Sequence, residues 1–328
     1  MLVLTLILVA ILALAAVELL VFLKPRLEVS HQLLRRTALG SAADTGIDYA
    51  SAVLAEDLKN GKVDSLEEDW AREISYQLDG ISVTVMIEDE ERRFPVSYLV
   101  DRTASDTGPA DRIKEKISVD TGKAELKISE TGLAAFQELL AKLNIPPGWA
   151  KEAVDSLADW IDADGQPRSF GAEDEYYGIF GYQPRNGLPR TPGELSYVKG
   201  FRPEVTRVLF PSLSTFSGQI NLNTASAEVL ESVFGSGESL PVYFLIQGRP
   251  FESVEDGLRL AQISPKIYNQ LKQRIGVVSS FFSVRSTAVD ESGRRESVYA
   301  VLKRDEKKSR VIYWNQIPSG RQSLPGGE

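Results

Sequence analysis

Seven carboxylates fall between residues 155 and 175 of this chain: Asp155, Asp159, Asp162, Asp164, Glu173, Asp174 and Glu175. The surrounding run, DSLADWIDADGQPRSFGAEDEYY at 155–177, holds one basic residue, Arg168. Carboxylates crowded on a loop punctuated by Gly and Pro repel one another unless a cation or a hydrogen-bond network intervenes. Ca²⁺ suits such a set, because it accepts six to eight hard oxygen ligands in flexible geometry. The spacing is not that of an EF-hand. Asp162, Asp164 and Gly165 fit its third, fifth and sixth places, but Trp160 would stand at its first and Gly171 at its twelfth. Two readings stand on the residues alone, a solvated acidic loop and a metal site. Two-carboxylate hydrolysis is a further possibility, with Trp160, Phe170, Tyr176 and Tyr177 as the walls of a cleft. The same rings would equally pack a small helical domain.

A second informative stretch is INLNTASAEVLESVFGSGESLPVYFLIQGRPFESVEDGL at 220–258. It looks like the helix-hairpin-helix modules of DNA-binding competence proteins. Asn223 or Thr224 can cap its first helix, and Gly235 and Gly237 make the hairpin. A DNA-binding hairpin meets phosphate at the start of its second helix, with Lys or Arg following. Here Glu238 stands at that start and no basic residue precedes Arg249. Residues 221–280 carry six acidic against five basic side chains. The module is therefore expected without nucleic acid as its partner.

Other chemistries are closed by what is missing. There is no cysteine, which excludes disulfides, thiolate metal sites and cysteine nucleophiles. The single histidine, His31, is expected at a surface or packing position. Gly235-Ser-Gly-Glu-Ser lacks the lysine of a phosphate loop. The net charge of −9 opposes binding to a phosphate backbone. Hydrophobic residues at 43% and charged residues at 25% are an ordinary balance for a chain that packs a core.

The elements that must position these residues begin with an apolar segment. Residues 1–23, MLVLTLILVAILALAAVELLVFL, are interrupted only by Thr5 and Glu18. At roughly 1.5 Å per residue they reach across a bilayer core. A retained single span is expected rather than a cleaved signal peptide, since no basic residue precedes the run and no small-residue cleavage site ends it. Lys24, Arg26, Arg35 and Arg36 follow the span, so either the chain is inverted or a short basic leader has been removed or omitted. Beyond it, Leu27, Val29, Leu33, Leu34, Ala38, Ile47, Ala50 and Leu54 continue an apolar stripe, weakened by Gly40 and Gly46. That pattern suits one long pilin-type helix, or an anchor followed by a separate helix.

Residues 81–99 alternate around a polar turn and predict a β-hairpin, and 101–129 predict a variable loop. From 130 to 275 the period becomes helical. Helices are expected at 130–143, Ala150–Trp160, Pro192–Val198, Ala225–Phe234, Leu240–Gln247, Val254–Ala261 and Pro265–Ile275. Strand patterning returns at 276–316 as a three-strand meander, and 317–328 predict a disordered tail. The expected fold class is α+β. A long N-terminal helix (span 1–23, continuation and first strands 24–100) carries an antiparallel sheet, with a large all-α domain at 130–275 inserted into it.

Four runs in order, ALAAVELL, ADWIDADGQPRSFGAEDEYY, PRNGLPRTPGELSYVKGF and INLNTASAEVL, make the chain similar to the minor pseudopilin K family of type II secretion. The most specific features are the acidic loop and the run Asn186-Gly187, Thr191, Glu194, Leu195. The resemblance implies a pilin-like subunit with an inserted helical domain, structural rather than enzymatic. It implies a place at the pseudopilus tip with the I and J pseudopilins, contact with other pseudopilins and the inner-membrane platform, and a role in exporting folded proteins. It further implies a single-pass inner-membrane protein in contact with lipid, with its C-terminal domain in the periplasm and a leader cut by the prepilin peptidase. Thr5 stands where most pilin-type subunits carry a glutamate, which suits a subunit that caps a filament. Residues 91–100, ERRFPVSYLV, depart from the family's usual run. The family also binds Ca²⁺ in the acidic region, so Asp162, Asp164, Glu173 and Asp174 are expected as ligands, with Asp159 and Glu194 beside them. The readings that compete with this are a membrane-anchored DNA-binding protein and a membrane-anchored carboxylate hydrolase.

Overall fold

The computed structural model describes residues 2–101, 126–235, 239–305 and 308–317. Helix α1 runs unbroken from Leu2 to Asn60. Its first part is long and apolar enough to cross a membrane and packs against nothing else in the chain. Pro25 lies within it and does not end it. The helix first meets the sheet through Arg36, whose Nε lies 3.1 Å from Glu296 Oε1, and its apolar face is buried from Leu39 onward, at Leu39, Ala42, Ala43, Ile47, Ala50 and Leu54. The stripe read from sequence began too early: Val29, Leu33 and Leu34 are exposed. His31 is exposed too.

Strand β1 (Ile74–Leu78) and strand β2 (Ile81–Asp89) form an antiparallel hairpin. This corrects the hairpin expected within 81–99. Its turn is Asp79-Gly80, both at positive φ (50° and 80°), the Asp-Gly signal of a tight primed turn. After Asp89 the chain leaves the sheet through a 3₁₀ turn at Glu90–Arg92. A two-residue strand β3 (Phe94–Pro95) follows and later pairs with β4 (Leu213–Ser214).

Residues 130–275 then carry α2 (Glu130–Lys142), α3 (Pro147–Ile161), α4 (Asp174–Gly178), α5 (Pro203–Leu209), α6 (Ala227–Phe234), α7 (Ser239–Gln247), α8 (Val254–Leu260) and α9 (Pro265–Leu271). Two of these, α4 and α5, are short and were not expected. Pro192–Tyr197 is a 3₁₀ turn rather than an α-helix. The last helix stops at Leu271, and Ile275 belongs to a two-residue strand β6 (Ile275–Gly276) that pairs with β5 (Ile220–Asn221). Ser236, Gly237 and Glu238, expected at the hairpin between α6 and α7, lie outside the described residues, as does most of the loop expected at 101–129. The core of this domain is one cluster in which Phe136, Leu139, Leu140, Leu157, Ile161, Tyr177 and Leu195 are fully buried.

Strands β7 (Phe281–Val289), β8 (Arg295–Asp305) and β9 (Lys308–Ile317) close the sheet in the order β1-β2-β7-β8-β9. The register sets Asp89 opposite Phe282, so the point where the chain leaves the sheet adjoins the point where it returns. Ile317 is thus a strand residue, and the expected tail beyond it lies outside the described residues. One face of the sheet, including Val83, Val85, Ile87, Phe282, Val284, Val298, Ala300 and Leu302, packs on α1.

Candidate metal site and family membership

The acidic loop hangs between α3 and α4. Helix α3 delivers Asp159 from its buried face and Asp162 from its C-cap, and Glu173 caps α4. Asp159 and Glu173 are buried, Asp162 partly so, and one carboxylate oxygen from each lies within 4.8 Å of the others. Three buried carboxylate oxygens, Asp159 Oδ1, Asp162 Oδ1 and Glu173 Oε1, have no hydrogen-bond partner. An unpaired buried acceptor is costly, and three that converge are more so.

The rest of the loop is fixed so as to hold this convergence. Asp159 Oδ2 accepts from the Arg168 amide at 3.0 Å, and Asp155 Oδ2 from the Phe170 amide at 3.0 Å. Lys199 Nζ donates to the carbonyls of Phe170 (3.1 Å) and Gly171 (2.9 Å). Gly171 has no room for a side chain, since a Cβ there would stand 1.8 Å from Asp159 Oδ2. Among the described residues, Arg168 is the cation paired with these carboxylates, and it is loosely placed, with Nε 3.5 Å from Asp159 Oδ1 and Nη2 3.9 Å from Asp162 Oδ2. Burial pushes Asp159 up to about 6. Burial, then the charges of Asp159 and Asp162, raise Glu173 to about 7. Burial, with the neighbouring Asp164, raises Asp162 as well.

The six residues expected at the site divide. Asp159, Asp162 and Glu173 converge. Asp164 lies close enough for its charge to act on Glu173, but its Oδ1 accepts from the Gln166 amide at 2.8 Å. Asp174 is likewise near Glu173 and sits exposed in the first turn of α4. Glu194 is committed elsewhere. It accepts from Trp160 Nε1 (3.2 Å), Arg185 Nη1 (3.2 Å) and the Arg190 amide (3.0 Å), tying its 3₁₀ turn to α3. Gly171 was legible in sequence as one of the residues that let the loop fold back, whereas Lys199, remote from the loop in sequence, was missed. The oxygen-only donor set with unsatisfied buried acceptors fits a hard divalent cation such as Ca²⁺.

A second acidic group, Asp57, Asp64 and Glu68, lies where α1 ends. There the Arg304 guanidinium supplies the counter-charge, with Nη1 2.9 Å from Asp57 Oδ2 and Nη2 paired with Asp64.

A projecting N-terminal helix packed along an antiparallel sheet, with a helical domain let into that sheet, defines a pilin-like subunit. One chain of the GspK–GspI–GspJ complex from the enterotoxigenic Escherichia coli type 2 secretion system has the same fold. Its TM-score is 0.68 at 22% identity, over 88% of this chain and 99% of that one. The family profile described as "Type II secretion system (T2SS), protein K" matches residues 93–217. Type II secretion system protein K of Pseudomonas aeruginosa is 30% identical over 303 residues, covering 86% of this chain and 82% of that protein. The protein of the same name from Pectobacterium carotovorum is 26% identical over 278 residues, covering 80% and 78%. The chain belongs to the type II secretion system protein K family.

Proposed function

We propose that this chain is a structural minor pseudopilin that assembles with the I and J pseudopilins at the tip of the secretion pseudopilus and does no chemistry itself. The observation that carries this reading is the near full-length relation to protein K, joined to a fold in which the N-terminal half of α1 projects from the rest of the chain. A helix of that length is partnered on one side by lipid and beyond it by the helices of other subunits. The apolar segment anchors the protein in the inner membrane, and the sheet and helical domains lie in the periplasm. A Ca²⁺ held by Asp159, Asp162 and Glu173 ties down the loop 162–173 and screens three carboxylates from one another; its role is structural. A fragment beginning at Val29 is expected to co-purify with soluble I and J subunits. If those two associate with each other and leave the fragment behind, the tip assignment is wrong.

A further inference from the structure

The run Ile220-Asn-Leu-Asn-Thr224 reads in sequence as the entry to a DNA-binding hairpin, yet its polar side chains face inward, into the junction between the sheet and the helical domain. Asn221, Asn223 and Thr224 are all 1% exposed or less. Asn221 and Thr224 share a target in Asp89, the last residue of β2 and itself fully buried. Asp89 Oδ2 accepts from Thr224 Oγ1 at 2.6 Å, from Ser279 Oγ at 2.7 Å and from Asn221 Nδ2 at 3.2 Å. Its Oδ1 accepts from the Glu91 amide at 2.7 Å. These donors come from the exit of the sheet (Glu91), the return to it (Ser279) and the inserted domain (Asn221, Thr224).

The same group reaches the end of α1. Asn221 Nδ2 also lies 3.1 Å from the Asp64 carbonyl, and Asp64 Oδ2 accepts from the Ser279 amide at 2.7 Å. In the other direction Asn223 grips the loop before α8. Its Nδ2 donates to the Phe251 carbonyl at 3.0 Å and its Oδ1 accepts from the Phe251 amide at 2.8 Å. A buried network whose members are mutually satisfied rigidifies what it joins. Insertions linked by two adjacent strands ordinarily retain freedom to swing.

We infer that Asn221 and Thr224, held from behind by the grip of Asn223 on Phe251, form an interdomain clasp that closes on the Asp89 carboxylate and locks the helical domain in one orientation on the sheet and on α1. Asp89 is its positioning residue: deleting it leaves two hydroxyls and two N–H groups without their shared acceptor where the chain leaves the sheet and returns to it.

The chain has no native cysteine, so paired labels can be placed cleanly. Spin labels at Gln77→Cys on β1 and Glu204→Cys on α5, in the full chain in detergent, are expected to give one narrow distance distribution. Asp89→Ala should broaden it and split a single calorimetric transition into two. Asp89→Asn, which keeps an acceptor oxygen, should restore most of the narrow distribution. Should Asp89→Ala not fold, Thr224→Val removes one donor at constant shape and reads the same two quantities. A distribution as narrow as the parent's in the folded variant, with one transition merely shifted to lower temperature, overturns the clasp.

Discussion

At the scale of single residues, burial of carboxylates decides how the protein responds to ions and protons. If Asp159, Asp162 and Glu173 hold Ca²⁺, the ion binds the folded loop and not the unfolded chain. A hundredfold excess over Kd then stabilises by ~2.7 kcal/mol, or roughly 5–10 °C in melting temperature. Magnesium should do less, because it gives up its waters reluctantly. Calorimetry of Asp159→Asn with Glu173→Gln should show no Ca²⁺ shift; a shift equal to the parent's would remove these residues from the site. Away from that loop, burial and the charges of Glu68 and Asp64 raise Asp57 to about 6, against Arg304 which lowers it. The folded protein therefore binds this proton more tightly than the unfolded chain. The stability it contributes is fully present below about 4 and is lost as pH rises through about 6. The urea midpoint should fall from pH 4.5 to 7.5, less steeply in Asp57→Asn, and an equal slope would show that Asp57 is not responsible. The cluster around residues 159–173 was legible in sequence as a crowd of charge. Which carboxylates converge was not, because that depends on α3 burying Asp159 and on Arg185 claiming Glu194.

At the scale of elements, two glycines in α1 that look alike in sequence behave differently. A Cβ on Gly46 would stand 2.1 Å from Ser286 Oγ and 2.9 Å from both Ser286 Cβ and Val85 Cγ2, whereas one on Gly40 meets nothing within 4 Å. Gly46 is what lets the helix approach strands β2 and β7. Gly46→Leu should destabilise by about 1–3 kcal/mol or more through overpacking, and Gly40→Ala should stabilise by up to ~1 kcal/mol through helix propensity. Urea titration of both variants measures the contrast; equal effects would mean the helix does not seat where described. Long helices and the closing meander were plain from their period. The first hairpin was displaced because the apolar alternation of 81–89 drew attention past Asp79-Gly80 to a polar turn that is in fact the exit from the sheet. The short α4 and α5 carry too few turns to show a period at all.

At the scale of the whole molecule, the alternation of strand, helical block and strand was enough to read an insertion, since no other arrangement returns the chain to a half-built sheet. The orientation across the membrane is a separate matter. Ser41 lies exposed on α1 beyond the apolar segment, so Ser41→Cys should react with an impermeant thiol reagent in intact spheroplasts, and protection there would reverse the topology.

The pairing of β2 with β7 has a kinetic side. Met86 faces Arg285 and Asp89 faces Phe282 across a ladder whose two strands are separated by residues 90–280. Contacts so distant in sequence are slow to form, because the entropy of closing the loop must be met before the ladder returns anything. The helical block, whose Ile220–Asn221 and Ile275–Gly276 pair with each other, can bring its own ends together, which turns a very long loop into a short one. Synthesis proceeds in the same direction, so α1 and the first hairpin wait, half their sheet missing and an edge of β2 open, until the final strands emerge. During that interval β2 is the segment most prone to pair with a wrong partner.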